Sequence, residues 1–141
     1  MNELAIMTFT QLHDAVLSGI FLKDKQLHLC FCTPARQEMT LTVSSVSALK
    51  CDNFKDNNIV FDVLVFNLDS CPTDLLMYAS SYSEQDGRRC DINIEGKLDF
   101  LRNSGGSCLY LATSYGCSLA VISDSAASCI VLEEKSTDAP F

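Results

Sequence analysis

Asn58-Ile59-Val60-Phe61-Asp62-Val63-Leu64-Val65-Phe66-Asn67-Leu68 is the stretch that decides the fold. Read with a period of two, Ile59, Phe61, Val63 and Val65 share one face, and Val60, Leu64, Phe66 and Leu68 share the other. A strand apolar on both faces belongs inside a sheet, with material above and below it. Asp62 interrupts the second face, so it must be paired, near an edge, or part of a site.

The chain N-terminal to this strand keeps the same period. Val16 to Lys23 places Val16, Ser18, Ile20 and Leu22 on one face, and Asp24-Lys25 makes a tight turn. Gln26 to Thr33 puts Leu27, Leu29 and Phe31 on one side and His28, Cys30 and Cys32 on the other. Pro34 ends that strand, and Glu38 to Val46 alternates Met39, Leu41 and Val43 with Thr40, Thr42 and Ser44. Three strands with short connectors predict an antiparallel meander. A short helical turn is expected over Phe9 to Ala15, and Cys51 to Asn57 reads as a polar loop with Phe54 at its centre.

C-terminal to the central strand, Asp69 or Ser70 can cap a helix, Pro72 suits its first turn, and Asp74 favours the positive end of its dipole. Leu75, Leu76, Tyr78, Ala79 and Tyr82 give it an apolar stripe. Ser83 to Arg89 is a polar loop, Cys90 to Ile94 reads as a short strand, and Gly96 to Asn103 is ambiguous. Three more strands fall at Cys108 to Thr113, Cys117 to Ser123 and Ser128 to Leu132, before a flexible tail at 133–141. The expected fold is α+β: a mainly antiparallel twisted sheet of about seven to eight strands. It is expected as a sandwich-like or half-barrel meander with one or two covering helices, in one domain over residues 1–132.

With 48% hydrophobic and 20% charged residues in 141, the chain can build a core and lacks the composition of disorder. No apolar run is long enough to span a bilayer, and the start Met1-Asn2-Glu3-Leu4 has no basic n-region. A cytoplasmic protein is expected. Eight cysteines in a chain with no secretory signal read as reduced, mostly buried small hydrophobes. Net charge of −8 repels phosphate backbones and anionic membranes, which excludes nucleic acid and membrane as direct partners. A basic protein is the matching partner.

Candidate chemistry is sparse. His28, Cys30 and Cys32 share a strand face and offer soft ligands, yet no CxxC or HxxxH elsewhere completes a zinc set. His13-Asp14 pairs an imidazole with a carboxylate, but no nucleophile elbow accompanies it. No cofactor is expected. Asp52, Phe54, Asp56, Asp69, Asp74, Tyr82, Glu84 and Asp86 flank the central strand and helix, and they are the expected partner-binding residues.

Leu12-His13-Asp14-Ala15, Asn53-Phe54, Asn58-Ile59-Val60-Phe61-Asp62-Val63 and Ser114-Tyr115-Gly116-Cys117 resemble a group of small bacterial β-rich proteins. Some of that group look like immunity proteins of polymorphic or contact-dependent toxin systems. The resemblance spans roughly Leu12 to Leu132 and departs in its many cysteines. It implies a non-enzymatic protein that neutralises one cognate toxin by contact, and it transfers no catalytic residue. An enzyme using His13, Asp14 or a cysteine, and a homodimeric structural module, are the alternatives.

Overall fold

A computed structural model describes residues 5–80 and 94–134. The described elements are nine strands and two helices in one open, antiparallel sheet. In chain order the strands are β1 (Met7–Thr8), β2 (Val16–Lys23), β3 (Gln26–Cys32), β4 (Glu38–Val43), β5 (Val46–Asp52) and β6 (Asn58–Asn67). Helices α1 (Thr73–Ser80) and α2 (Ile94–Arg102) follow, then β7 (Ser107–Tyr115), β8 (Ser118–Ser123) and β9 (Val131–Glu134). The spatial order is β5-β8-β7-β6-β2-β3-β4-β9, with β1 beside β6.

The central-strand reading holds. β6 pairs with β7 on one edge and shares the other edge between β1 and β2. β2 contributes only two register pairs, Val16 with Ile59 and Leu17 with Asn58. This narrow join links a β2-β3-β4-β9 half to a β6-β7-β8-β5 half. Side chains from both halves nevertheless meet in one core: Leu17, Leu29 and Leu41 with Val63, Leu111 and Val121. A second core lies on the other face of β6, where Leu64 and Phe66 meet Leu75, Leu76 and Ala79 of α1. Fully burying each such side chain contributes about 1.5–3 kcal/mol.

The β2-β3-β4 meander forms as expected, with the Asp24-Lys25 turn adopting positive φ at both residues. The expected face of β2 does not hold: a bulge between Leu17 and Gly19 leaves Val16 opposite Cys32 and puts Ile20 and Leu22 opposite the buried Leu29 and Leu27, with Leu17 in the core. The strand expected through Val46 stops at Val43, because Ser45 takes a positive φ and turns the chain away. Val46–Asp52 becomes a separate strand paired with β8, on the far side of the sheet. The helical turn near Phe9 is a 3-10 turn at Thr10–Leu12. Helix α1 starts at Thr73, preceded by a 3-10 turn at Leu68–Ser70, and the ambiguous Gly96 region belongs to α2. The last strand is shifted to Val131–Glu134, so Glu133 and Glu134 pair with Thr40 and Met39, and Ala127–Cys129 forms a 3-10 turn. The strand expected at Cys90 lies outside the described residues except for Ile94, which begins α2.

One correction concerns β6 itself. Phe61 does not join Val63 and Val65; it is exposed, and Val60 takes the core position. The register with β7 slips between Ile59 and Val60 and again between Val60 and Asp62. A β-bulge inserts one residue into the alternation and so exchanges the faces beyond it.

Candidate functional site

The bulge places several side chains of interest at one end of the sheet. Asn58 opens β6 there and is fully buried. Its Oδ1 accepts hydrogen bonds from the Lys55 and Cys117 backbone N–H groups, at 2.9 and 3.1 Å. Its Nδ2 donates to the Lys55 and Leu17 carbonyl oxygens, at 2.7 and 3.3 Å. All four positions of the amide are filled. One side chain therefore ties the β5–β6 loop, the β7–β8 turn and strand β2 together. Gly116 in that turn has φ of 106°, and any Cβ there would run into Asn58, so the site requires glycine.

On this scaffold stand three aromatic rings: Phe54 at 47% exposure, Phe61 at 57% and Tyr115 at 52%. Ile59 is the register partner of Tyr115, and Phe61 follows two residues along β6. The Lys55 ammonium lies 5.9 Å from the Tyr115 ring centroid. His13 Nδ1 donates to the Phe61 carbonyl oxygen at 2.8 Å, and its ring meets Phe61 edge to face at 5.9 Å. His13 Nε2 is 3.7 Å from Asp14 Oδ1, with both side chains exposed. Asp14 has φ of 63°, a conformation Asp tolerates, and its N–H bonds Val60 O at 2.9 Å. His13 and Asp14 therefore fix a turn onto the bulge. In this tautomer, the Nδ1 proton is committed to a backbone carbonyl.

Asp52 ends β5 at this same end and accepts a 2.7 Å hydrogen bond from the Tyr78 hydroxyl. Burial, then the bond to Asp52, holds the Tyr78 phenol well above its ordinary pKa, because ionisation would place an anion beside a carboxylate. Lys50 lies 5.2 Å from the Tyr78 ring centroid. Asp56 is exposed in the loop and Asp62 is half-buried on β6.

The expected acidic group thus divides. Asp52, Phe54 and Asp56 gather at the Asn58 end, whereas Asp69 and Asp74 flank the start of α1 at the opposite end. Asp52 pairs with Ser118, while Leu68 N–H bonds Gly106 O beside the Ser107–Ser123 pair. Five residue steps along β8, from Ser118 to Ser123, separate those levels by about 17 Å. Tyr82, Glu84 and Asp86 lie outside the described residues. Sequence reading missed Asn58, Phe61 and Tyr115 as site residues. The quoted Asn-Phe and Tyr-Gly pairs beside turns were the available signal.

His28, Cys30 and Cys32 do share one face of β3, each half-buried. His28 Nδ1 is 3.1 Å from Thr42 Oγ1. The three are spread along the strand, and among the described residues no group of three His, Cys, Asp or Glu side chains converges to hold a metal.

The seven described cysteines are free thiols. Cys71, Cys108 and Cys117 are buried as expected, while Cys129 is exposed. Burial pushes the Cys117 thiol up to about 12. The neighbouring Cys108 thiol holds Cys71 below its ordinary pKa, while Cys71 and burial push Cys108 up. Among the described residues no helix is long and apolar enough to cross a membrane.

No family model, curated protein or solved structure matches the chain.

Proposed function

We propose that this chain is a non-enzymatic, acidic binding protein of the bacterial cytoplasm that neutralises a basic toxin by direct contact. The observation that carries the proposal is the set of Phe54, Phe61 and Tyr115, each about half exposed at one end of the sheet. Exposed rings on a rigid support lose little entropy when buried and make the strongest anchors in protein interfaces. The support here is the Asn58 network and the bulge at Phe61. Asp14, Asp52, Asp56 and Asp62 outnumber Lys50 and Lys55 around the rings, matching the net charge of −8. A basic partner would be steered toward such a rim and held at its aromatic centre. In this proposal the sheet bends over its shared core, sandwich-like or as a half-barrel, and leaves the loop-bearing end free for docking.

The test uses the product of the gene adjoining this one. Expressed alone it should arrest growth, and co-expression of the chain should restore it. The Phe61→Asp, Tyr115→Asp double variant should remain folded and fail to rescue. A harmless adjoining product, or rescue that survives the double substitution, defeats the proposal.

A further inference from the structure

The thiols carry an inference that does not rest on toxin binding. Among the described residues, two pairs of cysteines bring their side chains together, one pair on each face of the sheet. Cys51 and Cys117 meet at the core shared by the two halves, and Cys71 and Cys108 meet in the core that α1 covers. The backbone explains the second meeting. Phe66 of β6 is the register partner of Cys108 on β7, and the Leu68 N–H bonds Gly106 O at 3.1 Å. The 3-10 turn at Leu68–Ser70 then turns the chain, and Cys71 caps it, buried in one apolar cluster with Phe66, Leu76 and Cys108.

The two pairs differ in the charge beside them. The Cys71 thiolate is favoured first by the adjoining Cys108 thiol and, against burial, by the Arg102 guanidinium. Arg102 Nη1 donates to Cys71 O at 3.0 Å, and its bonds to Asp69 O and Thr73 Oγ1 lie exposed, so solvent reaches the same guanidinium. Burial disfavours either thiolate at Cys51 and Cys117, and there the neighbouring charge is the Asp52 carboxylate. Thiolates rather than thiols attack oxidants. The second pair thus holds an activated sulfur, a cation beside it and a second sulfur in contact with it.

We propose that Cys71 and Cys108 form a redox modification site at which a small hydroperoxide closes a reversible disulfide. The Cys71 sulfur attacks one peroxide oxygen. An S–O bond forms, the O–O bond breaks, and the departing oxygen takes a proton from solvent to leave as water or an alcohol. Cys71 is oxidised by two electrons to a sulfenic acid, and the peroxide is reduced by two. The Cys108 thiol then gives up its proton and attacks the Cys71 sulfur. The S–S bond forms, the S–O bond breaks, and the hydroxide leaves with that proton as water. The bond ties β7 to the start of α1, and a dithiol reductant restores both thiols by exchange.

The folded full chain is treated with hydrogen peroxide, quenched by alkylation and digested without reduction for mass spectrometry. A disulfide between Cys71 and Cys108 should form at least about tenfold faster than one between Cys51 and Cys117. It should raise the urea midpoint, and dithiothreitol should reverse both changes. Cys108→Ser should trap Cys71 as a sulfenic acid that dimedone labels, whereas Cys71→Ser should leave Cys108 unlabelled. A wild-type chain in which both thiols stay reduced while the exposed Cys129 is consumed overturns the inference. So does a bond between Cys51 and Cys117 that forms first.

Discussion

The two ends of β6 solve the same problem differently. At the Asn58 end a polar side chain is buried, and the rings beside it are exposed. At the Phe66 end the ring is fully buried, packed in the core that α1 covers, and the polar work is done by a half-buried arginine. Arg102 Nη1 donates to the carbonyl oxygens of Leu68, Asp69 and Cys71, at 3.2, 3.4 and 3.0 Å. Its Nη2 donates to Thr73 Oγ1 at 2.8 Å. The first end is a fixed frame for exposed groups. The second is a closed seam between helix and sheet. Carboxylates near both ends look alike in sequence, but among the described residues the first end gathers three exposed aromatic rings, Phe54, Phe61 and Tyr115, whereas the second has Phe100 of α2 alone.

Substitutions at each end sharpen this contrast. Phe66→Ala should cost about 3–5 kcal/mol in urea unfolding, because it leaves a cavity under α1. Asn58→Ala should cost about 3 kcal/mol, since it strands the Cys117 N–H and the Leu17 carbonyl in the interior. It should also speed amide exchange in loop residues 53–57, a change that Phe66→Ala should not localise there. Arg102→Ala should cost about 2 kcal/mol and loosen the start of α1.

Tyr78→Phe should cost about 1 kcal/mol near neutral pH. Its alkaline behaviour carries the sign. The folded phenol titrates above its ordinary value of 10.0, so its contribution is present below that pH and is lost as pH rises toward the folded value. The variant should therefore lose less stability than the wild type above pH 10, as measured by unfolding across alkaline buffers.

Much of this fold was legible because its strands alternate cleanly. β3 reads as Leu27, Leu29 and Phe31 inward, and no bulge disturbs it. Helix α1 was legible from Pro72 and its stripe. The departures occur where a single backbone angle decides. Ser45 adopts a positive φ that serine does not advertise, and it sends β5 across the sheet. The bulge at Phe61 is set by pairing with β7, about fifty residues away, so no local pattern announces it. The site was half legible for the same reason. Asp52, Phe54 and Asp56 are neighbours in sequence and in space, whereas Tyr115 and His13 reach this end only through long-range pairing.

The most direct measurement is hydrogen exchange of the chain, alone and mixed with the product of the adjoining gene. Slowed exchange is expected at residues 52–58 and 113–117, with residues 69–75 unchanged. Protection confined to the start of α1, or none anywhere, would contradict docking at the aromatic end of the sheet.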